Sequence, residues 1–224
     1  MTRPVAVVFR PFFGLLLIGL VGLGCLGAGS NAFAGNMTGA RLLPQYGQSV
    51  RVMMGFPDVE VAYHMPWDQK FELIPRAQLS YGRGLDTRFR FLTAGVDARV
   101  SLPRPTWGGK WRKKIHWAIL LRLSMLWETA PSRQTAVGLG CPGIVVSYVV
   151  SEKLDINVGA RLLDYLFLTG DVGVETTLSV SLGAEYMFSK TWRGIFLFDA
   201  GPALGVDNRV KASVRAVFGI GYNL

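Results

Sequence analysis

From about position 46 to the end, hydrophobic residues recur at every second position of the chain. Phe71, Leu73, Ala77, Leu79 and Tyr81 share one parity, and Glu72, Arg76, Gln78, Ser80 and Gly82 share the other. The same period sets Leu92, Ala94, Val96, Ala98, Val100 and Leu102 against Thr93, Gly95, Asp97, Arg99 and Ser101, and it returns over 172–188. An extended strand turns successive side chains to opposite faces, so a period of two predicts strands with one oily and one polar face. Ten strands are expected, at 46–56, 59–65, 70–82, 88–102, 111–128, 137–150, 154–168, 172–188, 192–205 and 210–224, with eight as the alternative count. Pro57-Asp58 is expected to be a two-residue turn, because Val50, Val52, Met54 and Phe56 are even while Val59, Val61 and Tyr63 are odd.

Strand length separates a soluble sandwich from a membrane barrel. Soluble strands average about 5–6 residues, whereas membrane-crossing strands need about 9–11. Trp117 and Trp127 lie ten residues apart on one face of 111–128. At about 3.3 Å per residue and a ~40° tilt, that spacing is roughly the 25 Å height of a lipid-facing band. Phe71 and Tyr81 are spaced likewise, and Tyr186 and Tyr222 complete an aromatic rim of the kind that membrane interfaces favour. The opposite parity carries Glu72, Arg76, Asp97, Arg99, Lys114, His116, Arg122, Asp155, Arg161, Glu175, Glu185, Asp199, Lys211 and Arg215. Facing a narrow lumen, charges of both signs are expected to pair. A net positive lumen would favour anions. The last strand alternates to Leu224, so it can close on the first and leave no edge in lipid.

The first 34 residues follow another pattern. Arg3 and Arg10 are the only charges before Arg41, an apolar run occupies 12–21, and Ala32-Phe33-Ala34 ends it. Basic start, apolar middle and small-x-small end predict a cleaved secretory signal, 1–34, rather than an anchoring helix. A short periplasmic N-terminal segment, 35–45, then leads to the barrel, 46–224. Cleavage after Ala34 removes 34 of 224 residues and two of 24 Lys and Arg, leaving 190 residues at +7. Cys141 is then the one cysteine, so no intrachain disulfide forms.

Composition narrows the chemistry. Charged residues make up 17% of the chain against about 25% in typical globular proteins. Two cysteines exclude a cysteine-based zinc or iron–sulfur cage, two isolated histidines offer no ligand spacing, and no metal or cofactor is expected. The formal charge of +9 invites a nucleic-acid reading, which export removes. Gly138-x-Gly140-x-x-Gly143 spells the dinucleotide fingerprint, but Pro142 interrupts it and a strand follows where the motif needs a helix. Neither nucleic acid nor nucleotide is an expected partner.

An export signal, long alternating strands, aromatic rims and a final Gly219-x-x-Tyr222-x-Leu224 resemble bacterial outer-membrane β-barrel proteins. The resemblance implies an all-β fold, a transmembrane antiparallel up-and-down barrel integral to the outer membrane, with periplasmic termini. It also implies a last strand read by the barrel-assembly machinery, although Leu224 stands where Phe is commoner and Val217 where a polar residue is usual. Short outer connections are then expected at 83–87, 129–136, 169–171 and 206–209. Arg104, Lys110, Arg112, Lys113 and Lys114, interleaved with Trp107 and Trp111, fall at the periplasmic rim within reach of lipid headgroups.

No hydrolytic constellation stands out. An activated serine needs a histidine within hydrogen-bond reach and a third group to orient it. His64 and His116 lack the His-x-Ser arrangement of membrane phospholipases, and both lie away from the rim carboxylates Asp86, Glu128, Asp171 and Asp207. His116 is expected to pair with a lumen carboxylate and His64 to be an ordinary polar position. The expected function is a structural barrel or a narrow pore for small solutes with a charged lumen, not an enzyme. The alternatives are an outer-membrane lipid- or peptide-modifying enzyme, and a soluble periplasmic barrel binding an apolar ligand.

Overall fold

The computed structural model describes residues 37–44, 47–82, 90–104, 106, 109–130, 133–170, 172–207 and 209–224. The signal expected at 1–34, the connection at 83–87, and Trp107, Asp86 and Asp171 lie outside the described residues, as does the Lys110 side chain.

Ten antiparallel strands close into one barrel: β1 Ser49–Phe56, β2 Asp58–Pro66, β3 Phe71–Ser80, β4 Arg90–Ser101, β5 Ile115–Ala130, β6 Thr135–Val149, β7 Leu154–Phe167, β8 Gly173–Met187, β9 Trp192–Leu204 and β10 Val210–Asn223. Each strand pairs with its chain neighbours, and β1 pairs with β10 from Ser49↔Asn223 to Phe56↔Ala216. Every strand is thus paired on both sides. Only such closure leaves no unpaired backbone edge in a medium without water.

The expected ten strands are present, with local differences that have physical causes. Pro57 alone separates β1 from β2, and Asp58 belongs to β2 instead of a two-residue turn, pairing with Ser80 of β3. The shared facing of the two arms stands, with Val50↔Tyr63, Val52↔Val61 and Met54↔Val59 in register. Residues Gly109–Lys113 form a short 3-10 turn where a strand start was expected, and Lys114 N–H closes it on Trp111 C=O at 2.9 Å. Gly109 enters that turn at φ +52°, a left-handed conformation that glycine adopts without steric cost.

In β6, the register slips between Leu139 and Gly143 against β7, and the matching slip on β5 falls between Leu120 and Arg122. Cys141-Pro142 therefore forms a bulge. Pro142 has no N–H to give the ladder, and an extra residue accommodates it. The bulge reverses the parity of β6: Gly138 and Gly140 face inward before it, and Gly143, Val145 and Ser147 after it.

The barrel is inside out compared with a soluble protein. Its outer wall exposes large hydrophobics on nine of the ten strands, among them Leu123 at 59%, Val180 at 58% and Phe218 at 62%, and on β2 the outward Val59, Val61 and Met65 are partly exposed. The buried set inside is dominated by charged and polar groups, including Arg51, Glu60, Glu72, Arg76, Asp97, Arg99, Glu185 and Arg193. Soluble proteins rarely expose apolar patches above a few hundred Å². An oily belt around the whole circumference belongs in lipid, so the fold is that of a transmembrane barrel.

Candidate functional site

The lumen has three levels between the end where Ser49 and Asn223 lie, termed the terminal end, and the opposite end, termed the mouth. At the terminal end, residues 37–44 of the expected short N-terminal segment lie inside the barrel: Met37, Ala40 and Leu43 are 1%, 0% and 1% exposed. Its backbone is held by wall side chains. Met37 N–H donates to both oxygens of Glu185 at 3.0 and 2.9 Å, and Thr38 donates to Glu185 Oε1 from N and Oγ1, each at 2.5 Å. Arg51 Nη1 donates to Met37 C=O at 2.6 Å, Arg99 Nη1 to Gly39 C=O, and Ala40 N–H to Ser147 Oγ at 2.6 Å. Arg41 pairs with Asp155 at 3.1 Å.

Apolar contacts complete the seating. Met37 packs on Met53, Ile195 and Val217, and Ala40 on Ala118 and Val145. Gly221 leaves the room Met37 needs, because a Cβ there would stand 2.1 Å from its sulfur. Backbone groups of an irregular segment must find partners when buried, and side chains from β1, β4, β6 and β8 supply them here. The segment is bound across the lumen as a plug.

Ser49, His64 and Glu72 lie at this same end. His64 Nδ1 is 2.8 Å from Glu72 Oε1, Arg99 donates to Glu72 Oε2, and Ser49 stands opposite His64 in the register. Ser49 Oγ and His64 Nε2 have no hydrogen-bond partner. The order serine, histidine, carboxylate is that of a hydrolase triad. All three side chains are 0% exposed, however, so with the segment seated they are closed off from solvent. His64 is thus a sealed member of the lumen network and not the ordinary polar position expected. His116 faces the lumen opposite Ser147, half-buried, and among the described residues no carboxylate pairs with it.

Above the plug runs a continuous belt of ion pairs. Glu60 meets Arg51 at 2.5 Å, Arg215 at 3.1 Å and Arg76 at 3.9 Å. Asp97 accepts from Arg76 Nε at 3.1 Å and from Arg122 through Nε at 2.8 Å and Nη2 at 2.6 Å. Arg215 forks onto Asp58 at 2.8 and 2.9 Å and approaches Asp199 at 3.5 Å, and Asp199 accepts from Arg161 at 2.8 Å. Gln78 links the rows, accepting from Arg76 and donating to Asp58, each at 2.9 Å. A buried guanidinium and carboxylate are tolerable only when each satisfies the other, and the belt pairs them across four or more strands.

Toward the mouth the lumen opens into a cup, a cavity of about 140 Å³. Its floor is the belt, with Asp58, Glu60, Arg122, Arg161, Asp199 and Arg215. One side is apolar, where Leu126 and Phe167 pack with Phe91 and Tyr165. Glu128 and Glu175 also line it. At the rim, Lys211 pairs with Asp207 at 3.4 Å.

Glu72, Arg76, Asp97, Arg99, His116, Arg122, Asp155, Arg161, Glu175, Glu185, Asp199 and Arg215 all lie on the lumen side, whereas Lys211 sits exposed at the rim and Lys114 outside. Sequence reasoning left out Arg51, Asp58, Glu60 and Arg193, although the odd parity opposite Val50, Val52 and Met54 marks Arg51 as inward. Arg41 had no periodic signal. With these included, eight arginines face nine carboxylates among the described lumen residues, and Lys211 and Asp207 cancel each other at the rim. The lumen is balanced rather than net positive, and the expected preference for anions loses its basis.

On the outer wall, Phe71, Trp117, Tyr186 and Tyr222 stand at the terminal end, and Tyr81 and Trp127 at the mouth. The terminal-end girdle is denser than expected, adding Trp192, whose ring lies 4.7 Å from that of Tyr222, and Phe188, 5.3 Å from Tyr186. Arg104, Arg112, Lys113 and Lys114 are exposed beside it, where Trp111 leans on Tyr148 at 5.8 Å.

No family model matches the chain, and no curated protein matches it. Among solved structures, it is similar to a bacterial polysaccharide outer membrane secretin, at 7% identity and a TM-score of 0.47, over 75% of this chain and 56% of that one. It is also similar to KdgM porin in complex with disordered oligogalacturonate, at 10% and 0.42, over 80% of this chain and 99% of that one. A third is the translocator domain of autotransporter NalP from Neisseria meningitidis, at 11% and 0.43, over 96% and 95%. The chain spans just over half the length of the secretin. At these identities and TM-scores, the architecture stands on the closed strand register itself.

Proposed function

We propose that the protein is an integral outer-membrane barrel, exported by the 1–34 signal with both termini periplasmic, whose narrow path for small solutes is held shut by its own N-terminal segment. The seating of 37–44 inside the lumen carries this reading. The ion-paired belt above it is the constriction, made of side chains that can rotate apart. The segment is a continuous chain filling the lumen, so it acts as the gate. The oily outer wall supports lipid as the surrounding medium over a soluble ligand-binding barrel. The burial of Ser49, His64 and Glu72 supports a non-catalytic role. The exposed Arg104, Arg112, Lys113 and Lys114 would meet anionic headgroups at the periplasmic rim, and the paired last strand would be the element handed to the assembly machinery.

Planar-bilayer conductance of two refolded chains tests the proposal, one beginning at Gly35 and one at Gln45, with heat-modifiable gel mobility as proof of folding. The longer chain should be silent and the shorter should show discrete steps. Steps of equal size from both would remove the gate, and silence from both would leave a purely structural barrel.

A further inference from the structure

The cup at the mouth contains a carboxylate that stands outside the ion-pair belt and keeps an oxygen without a partner. Glu128 is 5% exposed, lines the cavity, and its Oε1 has no hydrogen-bond partner. No ion pair reaches its side chain among the described residues. Every arginine on the cup floor is already committed: Arg122 to Asp97, Arg161 to Asp199, and Arg215 to Asp58 and Glu60. Burying a carboxylate without a partner is costly, so such a group in a cavity wall is suited to receive a cation.

The surroundings define the rest of that cation. Glu128 stands opposite Phe91 in the register, two residues along its own face from Leu126, beside the cluster that Phe167 and Tyr165 complete. The cup carries five carboxylates against three guanidinium groups, so its field favours positive charge. Its volume of about 140 Å³ is close to the ~150 Å³ cavity that holds a benzene ring. Aromatic faces attract cations as well as apolar bodies.

We infer that the cup is a binding site for a small organic ammonium ion with an aromatic or branched apolar body, its charged group on Glu128 and its body on Phe91, Leu126, Tyr165 and Phe167. Neither the plug nor conduction enters this inference, which concerns the opposite end of the lumen. A silent bilayer and an occupied cup are therefore independent outcomes.

The experiment is titration calorimetry of the refolded chain from Gly35 with benzylammonium, benzyl alcohol and benzoate. Benzylammonium should bind saturably, benzyl alcohol at least tenfold more weakly, and benzoate not at all. Glu128→Gln, which keeps shape and strands no partner, should weaken benzylammonium at least tenfold with unchanged gel mobility. Glu128→Lys should reverse the preference toward benzoate. Equal binding of the alcohol and the ammonium ion, undiminished binding by Glu128→Gln, or no binding to the wild-type chain would each overturn the inference.

Discussion

Glu185 is the anchor on which the plug most depends, and its removal gives a measurable release. In Glu185→Ala, three donors of the segment lose a charged acceptor: Met37 N, Thr38 N and Thr38 Oγ1. At about 1.5 kcal/mol for each hydrogen bond to a charged group, the low end of the usual range, the loss is about 4.5 kcal/mol. Water entering the vacated space returns part of that. A working figure of about 3 kcal/mol shifts the ratio of seated to released segment roughly a hundredfold. Arg193 also loses a partner at 3.7 Å, so Glu185→Gln, which keeps volume and one acceptor oxygen, serves as the milder companion. Hydrogen–deuterium exchange of the 35–44 peptide in the refolded barrel reads the release directly. Protection should fall steeply in Glu185→Ala and partly in Glu185→Gln, while the β-strand peptides stay protected. A folded Glu185→Ala barrel whose segment exchanges as slowly as wild type would refute the assignment of Glu185 as anchor.

Arg215→Ala strips one guanidinium from Asp58, Glu60 and Asp199 at once. Breaking a buried pair costs about 3–5 kcal/mol, so the temperature of the gel-mobility shift should drop sharply, and an unchanged midpoint would mean that water already screens the belt. On the outer wall, Val180→Arg near mid-strand of β8 should destabilise the barrel by about 2–4 kcal/mol, against about 0–1 for Val172→Arg beyond the strand's mouth end. Equal effects in denaturant titrations from lipid vesicles would displace the proposed membrane level. A fluorophosphonate probe should leave Ser49 unmodified in the folded chain. Mass-spectrometric detection of the Ser49 adduct would restore a hydrolase reading.

The wall of this protein is written in its sequence because the cause of the pattern is local. A pleated strand sends neighbours to opposite faces wherever it lies, so Leu121, Leu123 and Met125 were legible as lipid-facing, and Arg122 between them as lumen-facing, from parity alone. The same logic marked the matching arms of β1 and β2 before any register was known. It could not foresee the bulge at Cys141-Pro142, where an extra residue reverses parity within one strand.

What faces what across the lumen is a different matter, because it depends on ten registers adding up to a closed ring. No local signal says that Arg215 of β10 meets Asp58 of β2, 157 positions away, or that Glu128 is left without a partner. The segment 37–44 has no period to read. Its burial follows only once Glu185, Arg51, Arg99, Ser147 and Asp155 are brought around a space of the right width. Alternation determined the inside and the outside, and closure decided which charges cancel, which one waits, and what fills the hole.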